Sequence, residues 1–307
     1  MSHHLDTPLA RQNGRLYIDD LYVFPGQHST VLIMDVNSTI TGPDIQPGFH
    51  PEGRYEFKVH LDDADYEALT YRVSFAEAAS DGRQGLRLHV LTGDEAREDG
   101  AEGTLVLDGR TGEAASQGDT RIWAGRIADS FYVDLSLLSI VLEVSRQHPV
   151  LRPGARTGVW CTTRLATDAG GWQPVNRAGH PMMWPIFWPD DTRFTYPANT
   201  RHPSADFSQD GKHVADLIAA VVAAAGTTED PAGYGQTVAR QLFPDGLPYV
   251  VGTPATYGFA TRNGRKLADN APEAMLSLVL DTAVPSGLTP AATRDQRAAS
   301  FPYVVPA

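Results

Sequence analysis

A chain of 307 residues, 42% hydrophobic and 20% charged, holds enough apolar matter for one large core or two ordinary ones. Its formal net charge of −12, with no run of Lys or Arg, argues against nucleic acid, which would require a basic face. A single cysteine, Cys161, excludes internal disulfides and thiolate metal clusters, and no apolar stretch reaches the roughly 18 residues that span a bilayer.

The chain begins MSHHLDTPLA, without the charged-then-apolar layout of a secretory signal, so a cytoplasmic location is expected. In extended backbone, His4 and Asp6 project from one face while His3 and Leu5 point away. An imidazole and a carboxylate so placed can grip one divalent ion, with a third ligand drawn from elsewhere in the chain. That is the ligand set of a facial triad with open positions, suited to Fe, Mn or Zn better than to Ca. The alternative is a terminus that only caps or tethers the first strand.

From about residue 9 to 190 the pattern is of short strands broken by turn residues. LYIDDLYVF runs to the turn Pro25-Gly26 and is followed by STVLIMDVNS. After a Pro/Gly-rich loop, RYEFKVHLDDADYEALTYRVSF reads as a hairpin: two alternating aromatic and β-branched runs around an acidic turn. LRLHVLT, GTLVLDG, TRIWAGRI, SFYVDL, IVLEV and TGVWCTTRLA continue the series. Residues 93–103, GDEAREDGAEG, read as an acidic solvated loop. The prolines of MMWPIFWP argue against a regular helix or a central strand, so Trp184, Phe187 and Trp188 are expected to cover something.

Beyond about residue 205 the period changes. In HVADLIAAVVAAAG, Val214, Leu217, Ile218, Val221, Val222 and Ala225 recur at three and four residues, and Gly226 closes the run. YGQTVARQLF predicts a shorter helix before Pro244. DNAPEAMLSLVLDTAV predicts a third, capped by Asn270 with Glu273 as its reciprocal partner. Strands first and helices later imply a mainly β single unit over 1–307, propeller- or sandwich-like, with its β-rich core at about 9–190 and helices at about 205–290. An α+β arrangement is the alternative.

There is no GxSxG, GxGxxG, P-loop, HExxH or CxxC, so mainstream hydrolase, dehydrogenase, kinase and zinc-protease readings lack support. Other patterns are present and ordered. They are H-x-D-x-P at His4, Asp6 and Pro8; D-L-Y-V-F at Asp20 to Phe24; DSFYVDL from Asp129; GVWCTT from Gly158; RAGHP from Arg177; and NGRKLAD from Asn263. With them the chain resembles the bacterial family catalogued as "domain of unknown function 4331", over roughly residues 2 to 290. The resemblance implies one continuous β-rich unit with late helices and supplies no reaction. Members of that family have a longer segment before the LEV strand, where here only Ser136 to Val141 bridges from FYVDL.

Candidate site residues follow. Asp19 and Asp20 are either turn-formers or, for one of them, a ligand. Asp129 and Asp134 flank SFYVD, so that one could face a site. His180, before Pro181, could complete a triad or act as acid and base, although other members carry asparagine there. His202 is a second such histidine, and the adjacent Arg201 could hold an anionic or carbonyl-bearing substrate. His50, in a long loop, ranks third. His28, His60, His89, His148 and His213 read as turn, strand or helix-surface residues, and Cys161 as a small buried hydrophobe.

The resulting expectation is a metal-dependent enzyme acting on an organic small molecule, in bacterial specialised metabolism. Its metal ligands would be His4, Asp6 and Asp20; its catalytic residues His180, His202 and Asp129; its substrate contacts Arg201, Trp184, Trp188 and His50. Lewis-acid and oxygen-activating chemistry are both open, as is the oligomeric state. The rivals are a non-catalytic β-rich binding or scaffold protein and a cofactor-free lyase or cyclase using Asp and His as acid and base.

Overall fold

The computed structural model describes residues 13–38, 46–62, 64–128, 136–188, 197–291, 295 and 297–307. Its frame is two antiparallel sheets. In the first, β1 (Ile18–Pro25), β2 (Ser29–Val36), β9 (Ser136–Ser145), β8 (Thr120–Ala128) and β7 (Ala115–Gln117) are neighbours in that order. The second runs β11 (Trp172–Ala178), β10 (Arg156–Ala166), β3 (Gly53–Leu61), β4 (Glu67–Ala78), β5 (Gln84–Thr92) and β6 (Thr104–Arg110). A short β12 (Leu247–Val250) pairs with the start of β10, while β11 pairs with its end. Both sheets and the later helices share one continuous apolar cluster. Among the described residues neither sheet closes into a barrel, and the whole is one β-rich unit with its helices in the C-terminal part.

The predicted hairpin folds as β3 and β4, and its alternation explains why the second sheet is polar on one face. Tyr55, Phe57 and Val59 point into the apolar cluster with Tyr71 and Val73 of β4. Glu56, Lys58 and His60 therefore share the opposite face with Thr70 and Arg72, and register places Trp160 and Thr162 of β10 beside them. That face is not solvated. Residues 93–103, expected as a free loop, begin as a 3-10 turn (Gly93–Arg97) and lie across it as a strap. Its Ala96 carbonyl accepts from Lys58 Nζ at 3.0 Å and from Thr70 Oγ1 at 2.9 Å, and its Ala101 carbonyl accepts from Arg72. Backbone carbonyls can satisfy buried cations as water would, which is what lets Lys58 sit only 2% exposed.

Three further expectations change. MMWPIFWP does contain a helix, α1 (Met183–Phe187), because Pro185 falls in its first turn, where no backbone N–H is required. Ser136–Val141 is no linker but the first half of β9. The long helix, α2 (Asp206–Ala225), starts seven residues before His213 and ends at Gly226 with φ +67°. The helix α3 (Pro231–Leu242) crosses it so closely that a Cβ on Gly235 would stand 2.3 Å from the Ala215 carbonyl oxygen. In α4 (Ala271–Leu280), Asn270 Oδ1 accepts from the Glu273 N–H at 3.3 Å, and Glu273 answers Asn270 Nδ2 at 3.2 Å. None of the helices among the described residues is long and apolar enough to cross a membrane.

Candidate functional site

Where β3 ends and β4 begins, a bulge between Val59 and His60 sets His60 opposite Glu67. His202 reaches the same place from the loop before α2. Its ring stacks on that of His60 with centroids 5.7 Å apart. One ligand-capable atom from each of His60, Glu67 and His202 lies within 4.8 Å of the others. Glu67 is the hub: Oε1 accepts from Lys58 Nζ at 2.5 Å and Oε2 accepts from His202 Nε2 at 2.9 Å. Burial alone would raise its carboxyl, but His202 and Lys58 outweigh that and hold it down at about 2. Glu67 is therefore a fixed negative charge.

The partners settle both imidazole tautomers. His202 caps a 3-10 turn (Pro203–Ala205), with Nδ1 accepting from the Ser204 N–H at 3.2 Å, so Nε2 carries the proton towards Glu67. The Ser204 hydroxyl also lies 2.9 Å from that Nδ1. His60 Nε2 accepts from the Trp160 indole at 2.9 Å, so Nδ1 carries the proton and donates to the Ala64 carbonyl at 3.0 Å. Desolvation lowers the His60 pKa.

His60 and Trp160 also belong to the wall of a pocket of about 540 Å³, within the range of small-molecule sites. It opens beside the β10–β12 pair, between the turn that follows β3 and the segments around residues 241–246 and 262–263. Phe243, Pro244, Pro248 and Tyr249 supply apolar surface; Gln241, Arg262, Asn263 and Thr157 supply polar surface; Asp62, Asp65 and Arg156 stand at exposed positions of the lining. Pro203, next to His202, closes one side. Asp245 lies beneath, fully buried, accepting from the His180 N–H at 2.6 Å. Burial, offset by Arg177 and reinforced by Asp206, pushes its carboxyl up to about 7.

Two imidazoles and a carboxylate are the composition of a facial triad, so a divalent metal is the obvious ligand to test against these residues. They do not fit one as arranged. Each ligand lone pair must face the ion, yet the Nε2 lone pair of His60 is spent on the Trp160 N–H, and the Lys58 ammonium already neutralises Glu67. A cation would have to displace both.

Of the residues singled out from sequence, only His202 falls in this cluster. His4, Asp6 and Asp129 lie outside the described residues, as does Asp134. Asp20 is buried in β1 and is no turn-former: Arg265 Nη1 stands 2.6 Å from its Oδ1, and Tyr22 Oη donates to its Oδ2 at 2.9 Å. Despite burial, Arg265 holds that carboxyl below its ordinary range. His180 is sealed in the interior beside Tyr257, where burial and then Arg262 lower it to about 3, so it stays neutral and unavailable as an acid. Arg201 is bound by Asp210 and, at 3.3 Å, by Asp206, and does not face the pocket. Trp184 and Trp188 pack at α1, Trp188 against His213 with centroids 5.3 Å apart, away from the pocket wall. His50 shapes the turn into β3 by accepting from the Glu52 N–H at 3.2 Å. Cys161 is buried as expected, and burial raises its thiol.

His60, Glu67 and Lys58 escaped sequence reading. His60 read as a turn, strand or helix-surface residue and the other two carried no signal, because nothing marks residues 93–103 as a strap. Several family-like motifs prove to be fixtures of the fold. Arg265 of NGRKLAD pairs with Asp20 of DLYVF across 245 residues, and Arg177 of RAGHP pairs with Asp206 at 2.9 Å. Comparison with family models, with curated proteins and with solved structures finds no match, so the resemblance to the family of unknown function rests on the quoted motifs alone.

Proposed function

We propose that the chain binds an organic small molecule in this pocket and acts on it by cofactor-free acid–base chemistry, with His202 as the proton-exchanging group. The observation that supports this is the line Glu67–His202: a permanently ionised, buried carboxylate holding one imidazole nitrogen at 2.9 Å. That arrangement fixes the tautomer and stabilises the imidazolium that forms when the other nitrogen takes a proton. Nδ1 of His202 is held only by its neighbour Ser204, through the backbone N–H and the hydroxyl, and its side chain is 29% exposed, so a substrate proton must displace both of these local contacts to reach it. His60 and Trp160 connect this group to the pocket and keep a neutral wall beside it. Proton abstraction next to a carbonyl, or its reverse, is the reaction class this geometry suits.

The test is incubation of untagged protein in D2O with a panel of small ketones, esters and organic acids, read by proton NMR. Wild type should exchange or convert at least one compound, and His202→Asn should bind the same compound without turning it over. Undiminished turnover by His202→Asn overturns the proposal. A second reading, a non-catalytic binding protein, is favoured by the saturation of all four imidazole nitrogens in the cluster. It predicts binding with no exchange in either protein.

A further inference from the structure

Arg262 sits half-buried in the pocket wall with neutral partners only. Nη1 donates to the Phe259 carbonyl at 3.0 Å and Nη2 to the Gln241 side-chain oxygen; among the described residues no carboxylate lies within ion-pair distance of it. The contrast within the same molecule is sharp. Arg72, Arg177 and Arg265 are each matched by a carboxylate at 2.5, 2.9 and 2.6 Å. A guanidinium has five N–H donors in a planar fork, and Arg262 uses two of them. Its charge is felt behind the wall, where it adds to burial in keeping His180 neutral. The acids of the lining do not pair with it: Asp62 and Asp65 are exposed, and Asp245 is turned to the His180 backbone.

We infer that Arg262, positioned by Gln241, is the anchor for a carboxylate on the ligand, and that the apolar body of that ligand lies against Trp160, Phe243 and Tyr249. The inference rests on the pocket being the binding site proposed above and names the class of molecule it takes: an organic acid with a flat or aromatic body. Fork-to-fork pairing with a carboxylate supplies both charge and direction, which an amide of the same shape cannot match.

Paired probes separate the possibilities: indole-3-acetate against indole-3-acetamide, and 2-naphthoate against 2-naphthamide, measured by ligand-observed NMR and calorimetry. The acid of a pair should bind about ten- to a hundredfold more tightly than its amide. Arg262→Gln should abolish that preference. Gln241→Glu should do the same by placing a carboxylate beside an intact Arg262, at an exposed helix position. Equal binding of acids and amides by wild type overturns the carboxylate anchor and leaves the pocket reading standing. Acid preference that survives both substitutions also overturns it. Binding of neither class defeats the pocket reading and this inference with it.

Discussion

Replacing Glu67 by Gln removes the charge at the centre of the cluster while keeping its size. Two independent routes give the cost. Holding this carboxyl at about 2 instead of 4.5 is worth about 3 kcal/mol at neutral pH. Removing one partner of a buried ion pair costs about 3–5 kcal/mol, here because Lys58 would keep only Glu56, at 3.7 Å, as a counter-charge. The pH dependence has a definite sign. A depressed carboxyl stabilises the fold above its ordinary value near 4.5 and loses that contribution as pH falls towards 2. The wild-type advantage over Glu67→Gln in urea unfolding should therefore be about 3 kcal/mol at pH 7 and shrink steadily below pH 4.5. A difference under 0.5 kcal/mol at pH 7, or one that does not change on acidification, refutes the reasoning.

Arg265→Met leaves Asp20 buried without its guanidinium and strips the cation from the Tyr22 face, 4.3 Å away; urea unfolding should show a loss of about 3–5 kcal/mol. Asp245 works in the opposite sense to Glu67. Its raised carboxyl favours the fold at low pH and withdraws that contribution as pH climbs from about 4 to about 7, so Asp245→Asn should gain on wild type in melting temperature between pH 5 and pH 8. Gly235→Ala drives a methyl into the Ala215 carbonyl and should cost about 1–3 kcal/mol in the same unfolding assay, against a gain for an unconstrained helix glycine. Cys161 should resist iodoacetamide in the native protein and react only on unfolding, as mass spectrometry will read.

What could be read from residues alone was what local pattern controls. The hairpin at Gly53–Ala78 followed from alternation, and the cap at Asn270 and stop at Gly226 followed from local chemistry. Strands β11 and β12 were hidden by Pro174 and Pro248, which are tolerated because one lies beside a register shift and the other in a strand that pairs only β10. The polar residues followed a different logic. His202 announced itself as a histidine before a proline, whereas His60 needed two distant facts, the bulge after Val59 and the strap over Lys58, that carry no local mark. Asp20 and Arg265 illustrate the limit most plainly: Asp20 looked like a metal ligand and Arg265 only like part of a motif, yet each neutralises the other inside the fold. Long-range pairing of this kind has no periodicity to betray it.

Because both tautomers follow from hydrogen-bond partners, two-bond proton–nitrogen NMR spectra of the imidazoles in untagged protein at pH 8 reach the heart of the account. The spectra should report His202 with its proton on Nε2 and a neutral His60 with its proton on Nδ1, unchanged by added Mn, Zn or Fe. The opposite tautomer at His202, or nitrogen shifts at either ring that move on metal addition, would contradict a carboxylate-held, metal-free base at the pocket's edge.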